Sequence, residues 1–248
     1  MKERYAQIGF SHRVRLEWLE RTANLLLSGT PERKIREELD ALLYDKVSIG
    51  KELKNSNRSK VITNLMRVWV TVPEDLRPLR DEGLTHLRTF RKDSHIVLHW
   101  GMAMAVYPFW SVVAETVGRL IRLQGNMIAS EAQRRLRERY GERETVARSA
   151  RRIIRSFVDW GVLTDTNRKG VYEAGELHRI DSVELAAWFI EAFLNSISSG
   201  KAQVGELLRN PALFPFALPA LKGDQVASVS PRMENVSHSL NEDMVMLC

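Results

Sequence analysis

The chain has 248 residues, 44% hydrophobic and 27% charged, with 14 Gly and 8 Pro, a balance that excludes a globally disordered, collagen-like or linker-dominated protein. Thirty-seven Lys and Arg against 31 Asp and Glu give a formal net charge of +6, and the one Cys, Cys248, excludes an internal disulfide or a cysteine-rich zinc site. Charges interrupt every apolar run near the start and a terminal Cys is not a prenylation box, so no export signal or lipid anchor is read and the expected compartment is the cytoplasm.

In chain order, the apolar spacing is helical almost throughout. Leu16, Leu19, Ala23, Leu26 and Leu27 form one stripe, ended by Gly29. Thr30 as cap and Pro31 at the first helical position open a second helix carrying Ile35, Leu39, Leu42 and Leu43. After Lys54-Asn55-Ser56-Asn57 a third stripe takes Val61, Ile62, Leu65, Met66 and Trp69, capped by Ser56 or Asn57. Lys51, Lys54, Arg58, Lys60 and Arg67 border its start. There Arg58 and Lys60 are candidate phosphate contacts, and an ordinary capped surface helix is the plainer reading. Pro73 and Pro78 break the chain before a short helix through Leu84, Leu87 and Phe90. Residues 1–93 thus read as an N-terminal helical bundle.

Residues 94–114 contain no Asp, Glu, Lys or Arg over 21 positions, a length that could span a bilayer. His99, Pro108, Ser94 and Ser111 argue against a span, and Glu115 follows at once. The expectation is one buried central helix over 94–125, apolar on all sides. It continues in register through Arg119 and Arg122 into a basic segment. No membrane partner is expected.

Between Arg119 and Arg155 stand eleven Arg, no Lys and four Glu, a net +7 in 37 residues; the rest of the chain nets −1. Such local charge marks a polyanion-binding surface. Ser130 and Gln133 have capping-box spacing and open a helix to Tyr140, closed by Gly141. A second helix runs from about Thr145 to Trp160. On it Val146, Ala150, Ile153 and Phe157 share one face, and Arg148, Arg151, Arg152 and Arg155 share the opposite one. Val162-Leu163-Thr164 and Val171-Tyr172 flank a polar tip holding Arg168, Lys169 and Gly170, which reads as a hairpin.

Helix, turn, basic helix and basic-tipped hairpin is the order of a winged helix-turn-helix. The expected fold is an all-α multi-helical bundle with a winged helix-turn-helix over 126–176, its wing a small β-hairpin. The candidate DNA-binding residues are Arg134, Arg135, Arg148, Arg151, Arg152, Arg155, Arg168 and Lys169, with Arg58 and Lys60 from the first bundle. Arginine's planar fork suits phosphate oxygens and guanine edges alike. A solvated basic face stays open, as do a protein-interaction scaffold and a sequence-specific transcription regulator built on the same module.

A helix over 181–199 carries Val183, Ala186, Phe189, Ile190, Phe193 and Ile197. The proline-broken stretch 210–219 cannot be regular helix, and its aromatics are expected to seal the core. Residues 177–221 complete that core, and the Ser-rich residues 222–248 read as a flexible tail. No catalytic constellation emerges. His95 and His99 lack the intervening Glu of zinc hydrolases, and neither a phosphate-cradling Gly loop nor a nucleophile elbow is present. Neither metal nor cofactor is expected.

The Leu16–Leu27 helix, the Gly-Thr-Pro turn and the Ser56-Asn57-Arg58 cap precede an uncharged aromatic central segment. An Arg-rich helix ending Phe157-Val158-Asp159-Trp160-Gly161-Val162-Leu163 completes the order. This pattern, over most of residues 14–215, resembles the BrxA proteins of bacterial BREX phage-defence systems. The resemblance implies a small, cytoplasmic, largely helical, non-catalytic protein that binds double-stranded DNA beside a DNA methyltransferase and ATPase-type partners. It transfers no catalytic residues.

Overall fold

The computed structural model describes residues 4–5, 7–10, 12–48, 56–237 and 243–248. Lys51 and Lys54, noted in the sequence, lie outside the described residues. The chain is mostly helical, with small sheets. Helices α1 (Leu16–Leu27), α2 (Glu32–Leu42) and α3 (Asn57–Trp69) bury their apolar stripes against one another. Helix α2 begins at Glu32, with Pro31 as the residue before its first turn rather than in it. Ser56 caps α3 by accepting from the Ser59 amide. Helix α4 (Arg77–Thr89) follows.

The uncharged stretch forms two helices instead of one: α5 (His95–Val106) and α6 (Pro108–Gln124), bent by 116° at the break. Pro108 has no amide hydrogen and excludes helical geometry for its predecessor, and Tyr107 sits at φ −123°, ψ 84°. Every residue of α5 is buried. Among the described residues no single helix is long and apolar enough to cross a membrane.

From α6 the chain enters β1 (Asn126–Ile128), α7 (Ala129–Tyr140), α8 (Glu144–Asp159), β2 (Leu163–Asp165) and β3 (Val171–Ala174). The strands form an antiparallel sheet in the order β1-β3-β2, with Met127 opposite Tyr172 and Thr164 opposite Glu173. Helix α7 starts directly from β1 with no side-chain cap, so the expected Ser130–Gln133 capping box does not form. The strand fixes the entry, and the Ala129 amide is satisfied by the Gly170 carbonyl across the hairpin. Gly141 at φ +90° and Gly161 at φ +75° end α7 and α8, conformations that favour glycine.

Strand β4 (His178–Arg179) leads to α9 (Val183–Leu194), capped by Ser182. Then come β5 (Lys201–Gln203), the single-turn α10 (Val204–Leu207) and β6 (Phe216–Ala217), which pairs in parallel with β4. Beyond Lys222 the chain forms α11 (Gly223–Val229), β7 (Met233–Ser237) and β8 (Asp243–Leu247) in place of the expected flexible tail. These strands complete a sheet ordered β5-β8-β7. Two things hold the segment. Val226, Met233 and Val245 are buried, and Arg232 donates to both oxygens of Glu191 on α9 at 2.7 and 2.9 Å and to Glu82 on α4.

One apolar core runs through all these elements. At its centre Trp100 of α5 stacks on Phe157 of α8 at 4.7 Å between centroids. Trp110, Trp160, Phe214 and Phe216 approach Trp100 edge-on, so the aromatics of the proline-broken stretch do close this core. On the far side Trp188 of α9 lies against Gly101 and Gly83, where a Cβ would stand 2.6 and 2.8 Å from its ring. Helix α8 is therefore anchored to the central bundle, and its outward face is held in a fixed direction.

Candidate nucleic-acid interface

Helix α8 divides sharply. Val146, Ala150, Ile153 and Phe157 are fully buried, as is Ile154 beside them. Arg148, Arg151 and Arg152 are exposed on the opposite side. Arg151 and Arg152 make no ion pair among the described residues, and Arg148 reaches Glu144 only at 4.0 Å. Three guanidinium groups thus stand open on one surface, as the spacing predicts.

The fourth does not. Arg155 is half-buried and its Nη1 donates to both oxygens of Asp165 on β2 at 3.0 and 3.1 Å; it also bonds the Tyr172 side chain of β3. It braces the hairpin against α8. The hairpin tip carries Arg168 and Lys169, both exposed. The tip is held internally: the Thr166 hydroxyl donates to the Val171 carbonyl at 3.0 Å and accepts from the Arg168 amide at 3.2 Å.

Other candidates have partners. On α7, Arg134 pairs with Glu138 and Arg135 with Glu131, each at 2.7 Å and one turn apart. These are ordinary exposed helix pairs of about 0.3–0.5 kcal/mol, which a competing phosphate must displace. Arg58 is the clearest correction. It is buried, its Nε lies 2.7 Å from Asp40, Nη1 donates to the Tyr44 carbonyl at 3.3 Å, and its plane covers the Tyr44 ring. Its position in the first turn of α3 points it back onto α2 rather than outward. Lys60, two residues on and on the other side of the helix, is exposed.

Sequence reading misses the segment preceding α1. Residues 13 and 14 pack against the C-terminal half of α8 and its end. The Val14 amide donates to Ser156 Oγ at 2.9 Å, the Trp160 indole donates to the Val14 carbonyl at 3.0 Å, and Arg13 forms a bidentate pair with Asp159. Beside it His12 Nε2 lies 3.3 Å from Asn57 Oδ1. Burial lowers the His12 pKa, the Asn57 contact opposes this, and the charges of Arg152, Lys60 and Arg148 lower it further. Lys60 and the α8 arginines therefore belong to one surface, although 88 or more positions separate them in the chain.

The histidines four apart serve another purpose. The Trp69 indole donates to His99 Nδ1 at 3.0 Å, so His99 carries its proton on Nε2 and donates to Glu20 at 2.8 Å. His95 Nδ1 lies 3.1 Å from both Glu20 oxygens and Asn24 donates to Oε1 at 3.1 Å. Burial raises the Glu20 pKa, but these bonds outweigh it and bring it down to about 2. Burial lowers that of His99. The cluster ties α1 to α5 and borders a cleft of about 740 Å³. Among the described residues no group of three or more His, Cys, Asp or Glu could hold a metal.

The chain matches no protein-family model, no curated protein and no solved structure.

Proposed function

We propose that this protein binds double-stranded DNA without catalysis, through a winged helix-turn-helix formed by α6, β1, α7, α8 and the β2–β3 hairpin. The observation that carries this reading is α8 itself, with its buried apolar face and the exposed Arg148, Arg151 and Arg152 opposite. A helix of this kind fits the major groove, and a basic hairpin beside it reaches the flanking backbone. The pairing of β1 with β3 behind α7 and α8 supports the winged arrangement. Arg168 and Lys169 supply the wing contacts.

Six exposed cations, the three on α8 with Lys60, Arg168 and Lys169, would neutralise about six phosphates. Log affinity then falls with log salt at a slope of about −5. Sequence preference is weak, because Asn167 is the sole amide side chain at the α8 and hairpin surface suited to base reading. Mobility shift on random duplex DNA in low salt tests the reading; absence of retardation at tens of micromolar protein would overturn it. The resemblance to BrxA proteins supports a role for this activity in phage defence, beside a methyltransferase and ATPase-type partners. Affinity capture from the host that recovers neither would remove that assignment and leave the DNA reading standing.

A further inference from the structure

We propose that the cleft between α8 and the N-terminal segment is a second phosphate site, gripping the backbone of the same duplex beside α8. This rests on the DNA-binding reading above. The cleft holds about 300 Å³ and is lined by His12, Arg13, Arg15, Lys46, Asn57 and Arg152 together with Trp18, Val47, Ser48 and Val61. Four of these residues are cationic and none is acidic, so its ligand is an anion.

The placement selects a backbone phosphate. A helix in the major groove, about 12 Å wide, has a phosphate ridge on each flank. On one flank of α8 the hairpin is braced by Arg155 and Asp165. This cleft also borders α8, with Arg152 shared between helix and cleft wall. Its cations differ in availability. Arg13 is committed to Asp159 and positions the segment. Lys46 is exposed and makes no ion pair among the described residues. Arg15 meets Glu17 only at 3.6 Å, with both side chains at least half exposed. Lys46 and Arg15 are thus the residues that contact phosphate, with Arg152 and the His12 ring, itself 3.3 Å from Asn57, on the same lining.

The test compares Arg15→Ala/Lys46→Ala with the parent chain, by fluorescence anisotropy on a labelled 20-base-pair random duplex across a salt series. Both side chains are on the surface, so thermal unfolding should match the parent. With these two contacts added to the six above, the parent slope becomes about −7, and the proposal predicts weaker binding and a slope of about −5 in the double variant, about 0.9 per lost contact. It also predicts that the duplex shifts the His12 ring resonances in NMR spectra. Parent-like affinity and slope in the double variant, with the parent binding DNA normally, would overturn the proposal and leave the α8 reading intact. A parent chain that binds no duplex would overturn both. A His12 shift with inorganic phosphate alone, without one on adding duplex, would assign the cleft to a free phosphate and overturn the proposal.

Discussion

The indole of Trp160 donates to the backbone carbonyl of Val14 at 3.0 Å, and the amide of the same Val14 donates to Ser156 Oγ at 2.9 Å. Both backbone polar groups of one buried residue are therefore satisfied by side chains of the basic helix and its C-terminal end. The docking of the N-terminal segment on the module that carries the basic helix depends on them. Ser156→Ala leaves a buried amide without an acceptor, at a cost of about 1–3 kcal/mol. Urea denaturation should show this as a lower midpoint with an unchanged slope. An unchanged midpoint would mean the segment does not hold to α8 as described.

Arg58 separates a structural cation from a binding one. Arg58→Ala breaks the contacts to Asp40 and the Tyr44 carbonyl. Asp40 is half exposed and rehydrates, so the loss should be about 1–2 kcal/mol, mostly from packing on Tyr44 and the uncovered carbonyl. DNA affinity should stay at the parent value when measured well below the unfolding temperature. A stable variant with strongly weakened DNA binding would restore Arg58 to the interface.

The C-terminal segment is an integral part of the fold. Glu191 is 2% exposed and relies on Arg232 and the Ser230 hydroxyl. Arg232→Ala strands a buried carboxylate, which costs about 3–5 kcal/mol. Thermal unfolding followed by circular dichroism should show a drop of about 6–20 °C, at roughly 2–4 °C per kcal/mol for a chain of this size. A drop of under two degrees would mean that residues beyond 222 are dispensable.

Helical class, the opposed faces of α8 and the hairpin were legible because they are local. Spacing of three and four residues places Ile153 and Phe157 inward and Arg151 and Arg152 outward whatever surrounds them. The failures are non-local. Arg58 looks solvated until Asp40 and Tyr44 are brought to it. Arg155 looks like its three neighbours until Asp165 closes the hairpin over it. The serines after Lys222 mask three buried apolar residues, and nothing near Arg232 in the chain announces Glu191, 41 positions away. Pro108 was the one local signal for the break between α5 and α6, and the continuous apolar run around it concealed the break.

Acid should destabilise the protein in two stages. Burial holds the His99 pKa below its ordinary 6.5, so the stability of its neutral form is complete above that value and declines as pH falls below it. The Glu20 carboxyl, at about 2 against an ordinary 4.5, contributes stability that is complete above pH 4.5 and is lost as pH falls toward 2. Urea midpoints should therefore drop steadily from pH 7 to pH 3. His99→Phe should lower stability at pH 7 by about 1–3 kcal/mol, since the Trp69 indole loses its acceptor. It should also flatten the first stage, with His12, His86 and His178, likewise lowered by burial, supplying the remaining slope. Rising stability from pH 7 to pH 5 would contradict this.

The most direct test of the account is the salt dependence of duplex binding by Arg148→Ala/Arg151→Ala/Arg152→Ala, read by anisotropy beside the parent. The three side chains face away from the core, and alanine favours helix slightly more than arginine, so unfolding temperature should not fall. Binding should weaken steeply and the slope should flatten by about three units, about 0.9 for each lost phosphate contact. Ile153→Asp is the converse: it buries a charge and should unfold the module. A folded triple variant with the parent's affinity and slope would contradict the account and move the DNA surface away from α8.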